Sequence, residues 1–138
     1  MYLETLNLWN FRKFGRLEDS TLLDLTKPHF SIKLKPGLNI FVGENDSGKS
    51  STIDAIKLLL KTHSGEWISL KEEDFFHGAK ILRIECIFKH LNDEEARYFL
   101  EWLSWDEQAK KPFLKIFFQA HLKEKITPSD IRAGNDTE

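Results

Sequence analysis

Apolar and polar residues alternate with a period of two in four segments, the pattern of a strand with one face in a core and one toward solvent. The first runs from Leu3 to Asn10. The second is Phe30 to Leu34, with Phe30, Ile32 and Leu34 on one face. In the third, Lys80 to Lys89, Leu82, Ile84, Cys86 and Phe88 share a face against Arg83, Glu85 and Lys89. In the fourth, Phe113 to Leu122, Leu114, Ile116, Phe118, Ala120 and Leu122 point inward. Such alternation predicts antiparallel pairing with one solvated face. A fifth segment, Leu38-Asn39-Ile40-Phe41-Val42, follows Pro36-Gly37 and is nearly continuous in apolar character, which predicts a short strand buried on both faces.

Two stretches carry helical periodicity. Lys49 to Lys61 places Ile53, Ala55, Ile56, Leu58, Leu59 and Leu60 around most of a helix, which predicts a central position. Asn92 to Trp105 has Asn92 or Asp93 as cap, three acidic residues in its first turn, and a stripe of Ala96, Phe99, Leu100 and Leu103. A second stripe of Tyr98, Trp102 and Trp105 makes either a wide core face or a contact with something outside the chain. Gly15 to Lys27, Thr62 to Gly78 and Asp106 to Pro112 read as loops, and the last stretch, Thr127 to Glu138, is polar and ends without a stop signal for any element.

The chain has 138 residues, room for one domain, with 41% apolar residues and eleven Phe to fill a core. This composition excludes a disordered chain. A net charge of −2 excludes a nucleic-acid module that binds by bulk charge. Cys86 is the one cysteine, which excludes a disulfide framework, and its place in a strand stripe makes it a small buried hydrophobe. Five His residues show no metal spacing. No apolar run is long enough to span a bilayer, and no signal-peptide pattern opens the chain, so a cytoplasmic protein with no membrane partner is expected.

Gly43-Glu44-Asn45-Asp46-Ser47-Gly48-Lys49-Ser50 has the form G-x-x-x-x-G-K-S, the P-loop pattern. Gly43 and Gly48 permit positive φ and close approach of the backbone to a phosphate. The N–H groups of Glu44, Asn45, Asp46, Ser47 and Gly48 then form an anion nest, and the following helix adds the positive end of its dipole. Lys49 supplies the charge that meets the β- and γ-phosphates and stabilises their transfer, which makes it the catalytic candidate. Ser50 is placed to ligate Mg²⁺, and Ser51 to donate to the α-phosphate. A chance match in a chain of this length is on the order of half a per cent at average residue usage. The expected cofactors are ATP and Mg²⁺.

Upstream, Asn10-Phe11-Arg12 followed by Phe14 resembles the N-F-R segment that opens the ATPase heads of the RecF, SMC and OLD proteins. Gly43-Glu44-Asn45 resembles the start of their Walker A loop. That resemblance implies that Arg12 approaches the nucleotide, with Asn10 nearby. Glu73-Asp74-Phe75-Phe76, the strand near Ile81 to Phe88, and Pro128 to Gly134 are similar to the OLD family, whose members join an ABC-type ATPase to a TOPRIM nuclease. The implied fold is α/β: a P-loop NTPase, the N-terminal part of an ABC-type head, with a mainly antiparallel β-lobe. Two departures stand out. Asp46 occupies a position where many such loops have Gly, and no Gln follows the strand ending near Phe88.

Phosphoryl transfer also needs a carboxylate for Mg²⁺ and a group to orient water. No apolar strand ending in Asp-Glu, no S-G-G-like signature and no TOPRIM acidic cluster occurs in the sequence. The expectation is therefore a partial ATPase domain over residues 1–138 that binds ATP–Mg²⁺ and alone hydrolyses almost none. In the intact protein, a head-to-head homodimer or higher oligomer would hydrolyse ATP and regulate a nuclease acting on DNA, in DNA processing or phage defence. A repair ATPase of the RecF or SMC kind without nuclease is the alternative. A third reading is a degenerate module that oligomerises without nucleotide through Tyr98, Trp102 and Trp105. An incomplete sheet also presents an edge, so self-association is expected.

Overall fold

The computed structural model describes residues 1–44, 48–63, 70–122 and 131–133. Its strands are β1 (Tyr2–Trp9), β2 (Phe30–Lys33), β3 (Ile81–Lys89), β4 (Leu103–Asp106), β5 (Lys111–His121) and β6 (Ile131–Ala133). Its helices are α1 (Lys49–His63) and α2 (Asp93–Tyr98), with 3₁₀ turns at Leu17–Asp19, Glu72–Asp74 and Leu100–Trp102. The strands form one sheet in the order β2-β1-β3-β5-β4, with β6 also on β5. Every pairing is antiparallel. The four alternating segments all became strands, because each has an apolar face to bury and a neighbour of matching register. The chain is an α/β protein of which the described part is the antiparallel lobe and the P-loop helix.

Registers Leu6↔Cys86, Leu8↔Ile84 and Ile84↔Phe118 stack the apolar positions of β1, β3 and β5 on one face. That face packs against Ala55 and Leu59 of α1, and all these side chains are fully buried. Burying a Leu or Phe side chain contributes about 1.5–3 kcal/mol, so this contact is the main attachment of α1 to the sheet. α1 is less central than its sequence predicts: Ile53 and Leu60 are exposed.

The opposite face of β3 corrects a second expectation. Arg83 and Glu85, read as outward-facing, are 2% and 5% exposed. Registers Trp9↔Arg83, Asn7↔Glu85 and Glu85↔Phe117 surround them. Arg83 Nη2 donates to Glu85 Oε2 at 3.0 Å, and its guanidinium lies 3.9 Å from the Phe117 ring centroid. Asn7 Nδ2 also donates to Glu85 at 3.1 Å, and Lys115 Nζ lies 3.7 Å from it. The opposite charges of the pair offset part of the cost of removing each from water.

Residues 38–42 form no strand. Leu38, Ile40 and Val42 are 87%, 75% and 89% exposed. A strand buried on both faces needs a neighbour on each edge, and no described strand lies beside it. Asn39 instead closes a local turn, accepting from Lys35 N at 2.9 Å and donating to Lys35 O at 2.7 Å.

The predicted helix from Asn92 to Trp105 is short. Asn92 caps it, accepting from Glu95 N at 2.8 Å, while Glu95 accepts from Asn92 N at 2.9 Å. The helix stops at Tyr98, and Leu103–Asp106 turns into β4 because it pairs with β5 in a hairpin. Asp106 Oδ1 caps that hairpin by accepting from Gln108 N and Ala109 N, each at 3.0 Å. The break removes the continuous stripe. Leu100 is exposed rather than in the core, and so are Tyr98, Trp102 and Trp105. β6 adds a strand that the sequence pattern does not predict, pairing Ile131 to Ala133 with Phe118 to Ile116 of β5.

Candidate functional site: the P-loop and the turn after β1

β1 delivers the chain into a tight turn. Asn10 and Arg12 both have positive φ, 50° and 52°. Such geometry in non-Gly residues persists only where surroundings enforce it. Here they do. Asn10 N donates to His29 Nδ1 at 2.9 Å, so the His29 proton lies on Nε2, which meets Asp19 Oδ2 at 2.7 Å. The Asn10 amide is fully buried; Nδ2 donates to Asp19 O at 2.8 Å, and Oδ1 accepts from Arg16 N at 3.3 Å. Arg12 N donates to Asp74 O at 2.8 Å, and Phe14 N returns to Phe11 O at 3.0 Å.

The Arg12 side chain joins three segments. Nη1 donates to Asp54 Oδ2 of α1 at 2.7 Å, and Nε to Asp74 Oδ1 at 3.2 Å. The guanidinium also lies 5.0 Å from the Phe11 ring centroid. Partial burial disfavours its charge, but the bonds to Asp54 and Asp74 outweigh that and raise its pKa above the ordinary value. Asp74 Oδ2 in turn accepts from Lys71 N at 3.0 Å.

The turn packs on the phosphate-loop motif. Gly48 has φ +98°, and a Cβ built there would stand 2.4 Å from Phe14 Cζ and 3.1 Å from Lys13 Cε. Only glycine fits, for both reasons. Gly48 O accepts from Thr52 N at 2.9 Å and from Thr52 Oγ1 at 2.8 Å, which starts α1. Lys49 Nζ donates to the Gly43 carbonyl, closing the loop on itself. The first turn of α1 contains no acidic residue, which suits its positive end to an anion.

Among the sequence candidates, Gly43, Gly48 and Lys49 are brought together, and Ser50 and Ser51 open α1 with Ser50 exposed. Glu44 is exposed. Asn45, Asp46 and Ser47 lie outside the described residues, as do Pro128, Ser129, Asp130 and Gly134. Asn10 and Arg12 build the adjacent turn, with both side chains engaged by protein groups. Nothing in the sequence singles out His29, Asp54 or Lys13, and Asp74 enters it only within the OLD-like segment Glu73 to Phe76; their parts depend on contacts across long sequence separations. Among the described residues, no helix is long and apolar enough to cross a membrane.

The model of a family described as an AAA ATPase domain matches residues 1–136. A stretch of 55 residues is 47% identical to the DNA double-strand break repair Rad50 ATPase of Thermoplasma acidophilum, covering 39% of this chain and 6% of that protein. Over 56 residues the chain is 38% identical to the DNA replication and repair protein RecF of Clostridium perfringens, 41% of this chain and 12% of that protein. The RecF of Streptococcus uberis is 33% identical over 64 residues, 46% of this chain and 14% of that protein. The chain therefore matches only a small fraction of the length of these relatives.

Proposed function

The chain belongs to the AAA ATPase domain family, and on that premise we propose that it binds ATP–Mg²⁺ through Gly43 to Ser51 as the N-terminal part of an ABC-type ATPase head. It is an ATPase domain related to Rad50 and RecF. The observation that carries the binding reading is the join of Gly48 to α1, where a glycine-only turn meets, beside Lys49, a helix whose first turn has no acidic residue.

Ser50 would ligate Mg²⁺, which when bound neutralises charge on the phosphates. Its exposed position in the first turn of α1 fits that role, whereas the Thr52 hydroxyl is already committed to Gly48 O. Lys49 would leave the Gly43 carbonyl for the β- and γ-phosphates. Asn10 and Arg12 serve the site by building the turn against Gly48. The sequence holds no Asp-Glu pair at the end of an apolar strand, so hydrolysis by the chain alone should be near zero.

For the intact protein, the Rad50 and RecF likeness supports an ATP-driven dimer acting in DNA repair. Glu73 to Phe76 and the Pro128 to Gly134 segment support the finer OLD reading, in which such a head regulates a TOPRIM nuclease in DNA processing or phage defence. Sequence beyond Glu138 separates the two: TOPRIM acidic motifs favour the OLD reading, and long heptads favour a Rad50-like repair ATPase.

Titration with labelled ATP and Mg²⁺ tests the binding. Saturable binding weakened at least tenfold by Lys49→Ala is expected, and no binding at millimolar nucleotide overturns it. Robust phosphate release abolished by Lys49→Ala would overturn the claim of catalytic incompleteness.

A further inference from the structure

The turn after β1 presents two adjacent cations, Arg12 and Lys13. Arg12 is drawn back against Asp54 and Asp74. Lys13 is exposed, and its side chain runs across the last glycine of the phosphate-loop motif, with Cε 3.1 Å from the Cβ position of Gly48. Its Nζ lies 5.6 Å from the Phe14 ring centroid, and that ring is itself packed on Gly48. A lysine so placed holds its charge beside the loop whose backbone would cradle phosphate.

The turn that sets this position is costly and strongly enforced. Two non-Gly residues sit at positive φ, and the backbone N–H groups of Asn10, Arg12 and Phe14 donate to His29 Nδ1, Asp74 O and Phe11 O respectively. Strain of this kind gathers where position matters to function. A turn needed only to reverse the chain could use glycine at either position.

We propose that Lys13 is a second cationic contact for the phosphate chain of the nucleotide. This rests on the nucleotide reading above. Lys49 approaches the phosphates from within the loop, and Lys13 approaches from the β-lobe. The lobe thereby contributes a charge of its own to the site, and affinity should rise with the number of phosphates.

The test is calorimetric titration of the protein with ATP, ADP and AMP in the presence of Mg²⁺, for the wild type, Lys13→Ala, Lys13→Arg and Lys49→Ala. Lys13→Ala should weaken ATP about five- to tenfold, as expected for one lost charge-assisted contact, and AMP less than about twofold. Lys13→Arg should stay within about twofold of the wild type, because the charge is kept. The salt dependence of ATP binding should be shallower in Lys13→Ala. Unchanged ATP affinity in Lys13→Ala, with Lys49→Ala still impaired, overturns the role of Lys13 and leaves the nucleotide reading standing. An equal loss for ATP, ADP and AMP marks a structural effect and overturns it as well. A wild type that binds none of the three overturns both.

Discussion

Arg12 and Asp54 meet at 2.7 Å, tying the turn after β1 to the helix that follows the P-loop motif. They are 42 residues apart in sequence. Asp74 completes the clamp from the segment before β3, at 3.2 Å.

Removing the clamp should loosen α1 without unfolding the sheet. The Arg12–Asp54 pair is partly exposed, so Arg12→Ala should cost about 1–2 kcal/mol rather than the larger value of a buried pair. For a domain of this size that lowers the thermal midpoint by about 3–8 °C. Asp54→Asn should cost less, and its effect should vanish in the Arg12→Ala background, which a double-mutant cycle by thermal melting would show. Because the guanidinium pKa is raised, its contribution is fully present below the ordinary arginine range and is lost only above it. The Arg12→Ala effect should therefore not depend on Arg12 titration anywhere between pH 5 and 9.

Gly48→Ala should be more damaging than an alanine in a loop usually is. The left-handed conformation costs a non-Gly residue about 1–2 kcal/mol, and the new methyl would displace the Phe14 ring. A total of about 2–4 kcal/mol is expected. The double change Gly48→Ala with Phe14→Ala should relieve the clash while leaving the torsional cost. Denaturant melts of the three variants separate the two contributions. If the double variant is no better than the sum of the singles, the contact with Phe14 is not the cause.

Much of this architecture was legible in the sequence where side-chain pattern and local chemistry agree. The four alternating segments, the cap at Asn92 and the start of α1 at Lys49 depend on nearest neighbours, which the sequence displays. Leu38 to Val42 has the composition of a buried strand, but composition cannot supply the neighbouring strands that would bury it. The helix from Asn92 ran too far because the periodicity through Leu103 fits either a helix or the hairpin with β5, and the hairpin pairing decided. Arg83 and Glu85 read as solvated since charge usually means exposure, and only the packing of Trp9 and Phe117 above them shows otherwise. At the site, the glycines and Lys49 follow from a motif with mechanical meaning, whereas the Arg12 clamp arises from residues far apart in the chain.

The Arg83–Glu85 pair makes a contrasting case to the Arg12 clamp. Both side chains are nearly inaccessible, 2% and 7% exposed, and they lie between aromatic rings. Removing one member of a buried pair leaves the other charge without its compensating partner, a loss of about 3–5 kcal/mol. Glu85→Ala should therefore destabilise the protein more than Arg12→Ala. Glu85→Gln should fall between them, since it keeps an acceptor but removes the charge. Urea unfolding of the three variants would check this order. An effect of Glu85→Ala below that of Arg12→Ala would mean that the second face of the sheet is wetter than its packing indicates.

Cys86 reports on the other face. It sits in the middle of β3, fully buried between α1 and the sheet. Burial first, and the nearby Glu85 charge second, push its thiol from the ordinary 9.0 up to about 12. A folded-state pKa above the unfolded value means that the contribution to stability is complete below pH 9.0. It is lost progressively as the pH rises from there toward 12, because the unfolded thiol ionises and the folded one does not. Native protein at pH 8 should therefore resist a disulfide reagent, and the same reagent should titrate one thiol per chain in denaturant. Cys86→Ala should cost little more than the lost sulfur packing near neutral pH, and should flatten the fall in stability between pH 9 and 11. Rapid reaction of the native thiol at pH 8 would show that α1 lifts from the sheet, and the Arg12→Ala variant should then react faster than the wild type.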